Sequence, residues 1–323
     1  MNGFGKAVFA LSLLIVFACV SINSPNADTS PRTAARLRFQ NMLGLKLYHA
    51  GCSFQNLGGV ERMCQFATNN PADLVFQIGP SFTELLSEIQ TSAEVQSKRI
   101  ALWKVWEAQK VQFYAPDYRD FRPNLNSFLD SHKNSPIQLM SSNLVDSKGD
   151  YLFEPFLLRD FSNKKVAFLS FSESSLEKTG KHWKVENIGS AFTKIRNQIE
   201  SKIDIFYVLG SLSQETRKII SKSTERPVVF IGGALDENNT VSFEPVGTKD
   251  FVARAASFGR GFGEVAIGSF DVDFWGKKPQ AKVSGLDHSF WSYLLEPVDL
   301  KFNECSKILN SAKPNRLPTE AVK

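Results

Sequence analysis

From residue 43 onward the chain alternates short apolar runs with amphipathic stretches. Leu43 to Tyr48 predicts a first strand and Asp73 to Gly79 a second. After the Gly79-Pro80 break, Ser81 and Glu84 have the spacing of a capping box, which satisfies two orphan backbone donors at a helix start. Leu85, Leu86 and Ile89 follow at helical spacing. Ile100 to Gln109 predicts a helix and Val111 to Ala115 a strand. Further strands are predicted over Pro136 to Leu144, Lys165 to Phe171, Asp204 to Gly210 and Pro227 to Gly233. Between them, Ala191 to Ile203 puts Phe192, Ile195 and Ile199 on one helical face, and Gln214 to Lys222 predicts another helix. Strands that are apolar throughout and separated by helices belong to sheets covered on both faces, which makes the class α/β. Thr240 to Phe274 is glycine-rich and β-forming, and predicts antiparallel strands closing the domain. No period of about 20–50 residues appears, which excludes a solenoid.

The N-terminal pattern is different. Lys6 precedes twelve uncharged residues, Ala7 to Ala18. Spanning a bilayer takes about 20 apolar residues, so residues 1–18 fit a signal peptide instead. Val16-Phe17-Ala18-Cys19 resembles a bacterial lipobox, which implies a mature N-terminus lipidated at Cys19. Val20 in place of Asp resembles the outer-membrane sorting choice. The expected location is the periplasmic face of a bacterial envelope, with the membrane as partner through that anchor. A secreted soluble protein with an incidental Cys19 is the alternative. Residues 19–40 are polar and predict a tether, 41–275 the folded domain, and 276–323 a C-terminal extension packing on it, with a frayed end.

Composition narrows the function. With 42% apolar and 22% charged residues, the chain is an ordinary globular one and not a disordered or fibrous one. The excess of 38 basic over 33 acidic residues is too mild for a nucleic-acid footprint. Four cysteines and four histidines exclude a disulfide scaffold and a His-rich metal protein. If Cys19 is acylated, Cys52, Cys64 and Cys305 allow one internal disulfide and one spare thiol. Cys52–Cys64 is the closest pair in sequence and the first candidate.

Several segments in order carry a family resemblance. Cys52 to Arg62 (CSFQNLGGVER) resembles the GCS-x-x-x-LGG segment of a branch of bacterial 5′-nucleotidase-like metallophosphoesterases. Asp73 to Phe82, Gln112 to Phe121, Ser141-Ser142-Asn143-Leu144, Phe153 to Phe171, Asp204 to Leu212, Ile231-Gly232-Gly233 and Phe258 to Gly263 take the places of that family's later motifs. The resemblance covers about residues 43–274 and leaves no room for the family's separate substrate-binding domain. It implies a four-layer αββα sandwich with mixed sheets. It also implies the chemistry of calcineurin-like phosphoesterases: two divalent metals held at the C-terminal ends of strands, activating a water and clamping phosphate.

The implied ligand positions depart from that pattern. Tyr48-His49-Ala50-Gly51 lacks the Asp-x-His that should follow the first strand. The Gly-Asp position carries Pro80 after Gly79, and the Asn-His pair falls on Tyr118-Arg119 or, in a slipped register, on Pro116-Asp117. The strand-end His falls on Ser211 and the Gly-Gly-His position on Ala234. Two cations about 3.5–4 Å apart need several anionic or imidazole ligands, which Pro, Ala, Arg and Ser do not supply. The expectation is a non-catalytic relative without a cofactor, whose residual pocket comprises His49, Cys52, Gly79, Asn143 and Gly233. Its partner would be an unidentified protein or small molecule. The rival is a divergent metal-dependent phosphomonoesterase using one or two divalent ions at a relocated site.

Overall fold

The computed structural model describes residues 34–41, 64, 67–69, 71–82, 92–121, 123–161, 164–174, 179–180, 182–233, 242–246, 249–255, 261–268, 281–283, 288–294 and 308. In chain order the elements are β1 (Ala34–Asn41), β2 (Leu74–Ile78), α1 (Ser92–Ala108), β3 (Phe113–Ala115), α2 (Leu125–His132), β4 (Gln138–Leu139), β5 (Leu144–Asp146) and β6 (Phe156–Phe161). They continue with β7 (Lys164–Ser170), β8 (Thr179–Gly180), β9 (Trp183–Val185), α3 (Ile188–Ile199), β10 (Ile205–Leu209), α4 (Gln214–Ser223) and β11 (Val228–Gly233). The last strands are β12 (Ser242–Val246), β13 (Asp250–Ala255), β14 (Gly261–Gly268), β15 (Ala281–Val283) and β16 (His288–Leu294).

Two large mixed sheets form, in the orders β15-β16-β14-β1-β2-β3-β4 and β12-β13-β11-β10-β7-β6, with a small third sheet β5-β9-β8. Side-chain alternation explains how they stack. In β10, Ile205, Tyr207 and Leu209 point into the core between the large sheets, while Phe206 and Val208 point to the helical layer beyond. β7 and β11 repeat this with Val166 and Phe168, and with Val229 and Ile231. From the facing sheet, Leu37, Phe39, Phe76, Ile78 and Phe113 enter the same core. Phe76 stacks on Phe168 across the two sheets at 4.7 Å and on its neighbour Phe39 at 5.3 Å. Each fully buried ring of this kind contributes about 1.5–3 kcal/mol.

The outer face of the first sheet is covered by α1 and α2 through Trp103, Trp106 and Phe128, which pack on Tyr114 of β3. The outer face of the second is covered by α3 and α4 through Ile188, Phe192, Ile195 and Ile220. This gives the αββα sandwich. Local signals set the helix starts. Asn124 caps α2, Asn187 caps α3 and Ser213 caps α4, each accepting from the backbone N–H three residues on. Among the described residues no helix is long and apolar enough to cross a membrane.

Two expectations change. Residues 34–40, assigned to the tether, lie in β1, which sits between β14 and β2 near the middle of the sheet. Its Leu37 and Phe39 face the inter-sheet core, but Arg38 and Gln40 are buried on the other face, so the strand reads as polar. The strand predicted at 43–48 lies outside the described residues. The folded domain also runs past residue 275, because β15 and β16 complete the first sheet. The Ser81 hydroxyl donates to the Ile78 carbonyl and accepts from Gln77 Nε2; Glu84 and the helix of the predicted capping box lie outside the described residues.

One pH effect follows from α2. His132 Nε2 faces the Ile137 carbonyl at 2.6 Å, and burial holds its pKa below the ordinary value. The native state therefore binds fewer protons than the unfolded chain. The stability this group contributes is present above about pH 6.5 and is lost as pH falls below it. Denaturant melts between pH 7.5 and 5 should show this decline, and His132→Gln should flatten it.

Candidate functional site

Strands β1 to β4 run parallel, as do β7, β10, β11 and β13, so each sheet gathers several strand C-termini at one edge. In parallel α/β sheets this edge is where ligands bind. The residues there are Gly79-Pro80-Ser81 after β2, Pro116-Asp117 after β3, and Ser141-Ser142-Asn143 between β4 and β5. The second sheet adds Phe171-Ser172-Glu173 after β7, Gly210-Ser211 after β10, and Gly233 ending β11.

A buried carboxylate organises the first group. Asp120 is fully buried in a 3₁₀ turn, Tyr118–Phe121. Its Oδ1 accepts from the backbone N–H groups of Ser81 (2.8 Å) and Phe82 (2.9 Å). Its Oδ2 accepts from the Tyr114 hydroxyl (2.6 Å) and the Asp117 N–H (2.9 Å). Burial raises the pKa of this carboxyl and the neighbouring Asp117 charge adds to it, while the hydrogen bonds from Tyr114, Phe82 and Asp117 pull it back. Burial also pushes the Tyr114 hydroxyl well above its usual range. Arg99 reinforces the turn by donating to the Asp120 carbonyl at 2.8 Å and to Ser127 Oγ at 3.2 Å. Asp120 is a structural clasp whose lone pairs are committed to protein donors.

Asp117, Asn143 and Ser142 are also committed to protein partners. Asp117 Oδ1 accepts from Arg119 Nε at 2.6 Å and from the Arg119 N–H at 3.0 Å. Asn143 donates to the Ser172 carbonyl (2.8 Å) and the Glu186 carbonyl (3.1 Å), and accepts from the Ser172 N–H (2.9 Å). Ser142 Oγ donates to the Pro155 carbonyl and accepts from the Ser170 N–H. These bonds clip the end of β4 to the end of β7. The Ser211 hydroxyl is enclosed and bonds to no described residue.

Pro80, Asn143, Gly79, Ser211 and Gly233 thus stand at the strand ends that the sequence assigned to them. β3 ends at Ala115, so Pro116-Asp117 is the pair next to it, and Tyr118-Arg119 begins the following turn. After β1 the next residues are Met42-Leu43-Gly44, which contain neither Asp nor His. Ala234, His49, Cys52 and Cys19 lie outside the described residues. Cys64 is disulfide-bonded, with a partner outside the described residues. Sequence reasoning singled out Ser142 within the Ser-Ser-Asn run but missed Asp120 and Ser172, whose partners are set by tertiary contacts that no local pattern marks.

Among the described residues the donor set does not fit a pair of divalent cations. Pro80 and Ser211 offer no anionic ligand, Asp117 is neutralised by Arg119, and Asn143 has spent its amide. Among the described residues no group of three or more His, Cys, Asp or Glu could hold a metal ion.

Beside these strand ends lies a cleft of about 590 Å³ between the segment after β7, the end of β9, the start of α3 and the face of α4. Lys184, Lys194, Ser172 and Glu186 give it polar walls and Ile188 and Ile219 apolar ones. Its Glu173 is tied to α4, accepting from Ser213 Oγ at 2.6 Å and from Thr216 Oγ1.

No family model matches this sequence, and no curated protein does. Solved structures do. Calcineurin-like phosphoesterase YfkN from Bacillus subtilis superposes with TM-score 0.58 at 14% identity, over 88% of this chain and 100% of that one. SoxB, a sulfate thiohydrolase of Thermus thermophilus, gives 0.62 at 10% identity over 88% of this chain and 61% of its own length. A 5′-nucleotidase precursor from the same organism gives 0.55 at 16% identity over 86% of this chain and 58% of that one. This chain therefore spans about three fifths of the latter two. The layers, the sheet orders and these superpositions agree: the chain has the calcineurin-like phosphoesterase fold shared by 5′-nucleotidases, with strand ends that lack the ligands of a two-metal centre among the described residues.

Proposed function

We propose that this protein is a non-catalytic relative of the 5′-nucleotidase-like phosphoesterases, exported and lipid-anchored at Cys19, that serves as a binding or scaffold protein of a bacterial envelope. The observation carrying this reading is the commitment of the strand-end polar groups: Asp117 to Arg119, Asp120 to four donors, Asn143 to the β7 loop. A hydrolase of this type needs those positions open toward a metal and a phosphoryl group. Here they hold the protein to itself. The disulfide at Cys64 supports export to an oxidising compartment. The cleft lined by Lys184 and Lys194 is where a small anionic ligand would find room.

Two measurements test this. Purified protein incubated with a chromogenic phosphate monoester and Mn²⁺ or Zn²⁺ should release no product above a metal-only control. Chelator-sensitive turnover would overturn the reading in favour of a phosphomonoesterase with a relocated site. Fractionation of cells expressing the full chain should place it with membranes, and Cys19→Ser should move it to the soluble fraction. Unchanged partition would remove the anchor.

A further inference from the structure

We infer that Cys305 is the disulfide partner of Cys64, so that one covalent bond ties the C-terminal segment to the helical layer over the first sheet. Cys64 is buried in the core between that sheet and α1, together with Trp103, Trp106 and Phe82. It is disulfide-bonded, so its partner must reach into this same core. Three other cysteines exist: Cys19, Cys52 and Cys305. One residue close to one of them is placed there. Ile308, which is helical, packs against the core cluster that contains Cys64. It also lines a groove along α1 together with Ala93, Gln96 and Ile100. Cys305 precedes Ile308 by three residues in sequence, so its backbone is within about 10 Å of Ile308 whatever the local conformation.

The consequence is topological. Cys52–Cys64 would staple two nearby positions, whereas Cys64–Cys305 closes a loop comprising almost the whole domain. In the chain-entropy model, stabilisation grows with loop length, though slowly. Cys52 then becomes the odd thiol and Cys19 remains available for acylation. The inference rests on Cys64 and Ile308 and is independent of whether the protein hydrolyses anything.

Trypsin separates the three folded-domain cysteines: Cys52 falls in peptide 47–62, Cys64 in 63–98 and Cys305 in 302–307. Full-length protein exported from cells, alkylated and digested without reductant, should yield a cross-linked 63–98/302–307 species by mass spectrometry. Cys52→Ser should leave it intact, and Cys305→Ser should convert Cys64 to an alkylatable thiol. A 47–62/63–98 species, a link to the Cys19 peptide, or an unlinked Cys64 would each overturn the inference. If Cys305→Ser does not accumulate, the map of the unaltered protein decides alone.

Discussion

Asp120→Ala should be among the most destabilising single substitutions in this protein, at about 3–5 kcal/mol. Its carboxylate satisfies the N–H groups of Ser81, Phe82 and Asp117 and the hydroxyl of Tyr114, all within a fully buried site. Each buried donor left without an acceptor costs about 1–3 kcal/mol, and water entering the space would recover only part of it. The damage should reach the 3₁₀ turn, and through Arg99 it should reach α1 and α2. Asp120→Asn separates shape from hydrogen bonding. It keeps the volume but turns an NH₂ group toward two donors, so its cost should approach that of alanine. A loss below about 1 kcal/mol for Asn in urea melts would show that packing, and not acceptance, is what Asp120 provides. The pH dependence has a definite sign. With the native pKa raised by burial, the stability linked to this carboxyl is full below its unfolded value and is lost as pH rises through the native one. Acid unfolding therefore does not begin at this clasp.

Asp120 also shows where sequence reading reaches its limit. The strands β7, β10 and β11 were legible because both of their faces are buried, which leaves unbroken apolar runs such as Ile205-Phe206-Tyr207-Val208-Leu209. β1 was not, since Arg38 and Gln40 occupy its helix-side face while fully enclosed. β4, at two residues, is too short to carry a period at all. At the strand ends, Asn143 was legible from the Ser-Ser-Asn run, and the structure gives that run a physical role as the clip between β4 and β7. Asp120 bonds to Ser81 and Phe82, residues 39 and 38 positions away, and no local spacing predicts such a contact. The resemblance located the fold because turn and strand positions are local. It placed the position after the first strand at Tyr48-His49 because that strand was predicted over 43–48, whereas β1 ends at Asn41; after β3, whose end at Ala115 was predicted correctly, Pro116-Asp117 was the alternative register.

Gly210→Ala is the second large effect, and it bears on what holds the strand ends of this fold in place. Gly210 has φ +137°, a conformation costly for any L side chain, and a Cβ there would lie 2.3 Å from the carbonyl oxygen of Phe171. That oxygen is backbone of the segment leaving β7 and cannot swing aside. Gly210 also donates to the Ile231 carbonyl at 2.9 Å, and a Cβ on Gly232 would lie 2.5 Å from the Gly210 carbonyl oxygen. The ends of β7, β10 and β11 are thus packed backbone against backbone. Strain and overlap together predict a loss of about 3–5 kcal/mol. Gly149 supplies the control. Its φ is +93°, yet nothing lies within 4 Å of its would-be Cβ, so Gly149→Ala should cost about 1–2 kcal/mol from conformation alone. Equal losses in parallel thermal melts would mean that the close approach at Gly210 is not under constraint. A much larger loss at Gly210 would mean that strand-end geometry in this protein is enforced by backbone packing. A scaffold held in that way fixes its strand ends through backbone contacts that do not pass through the side chains standing there.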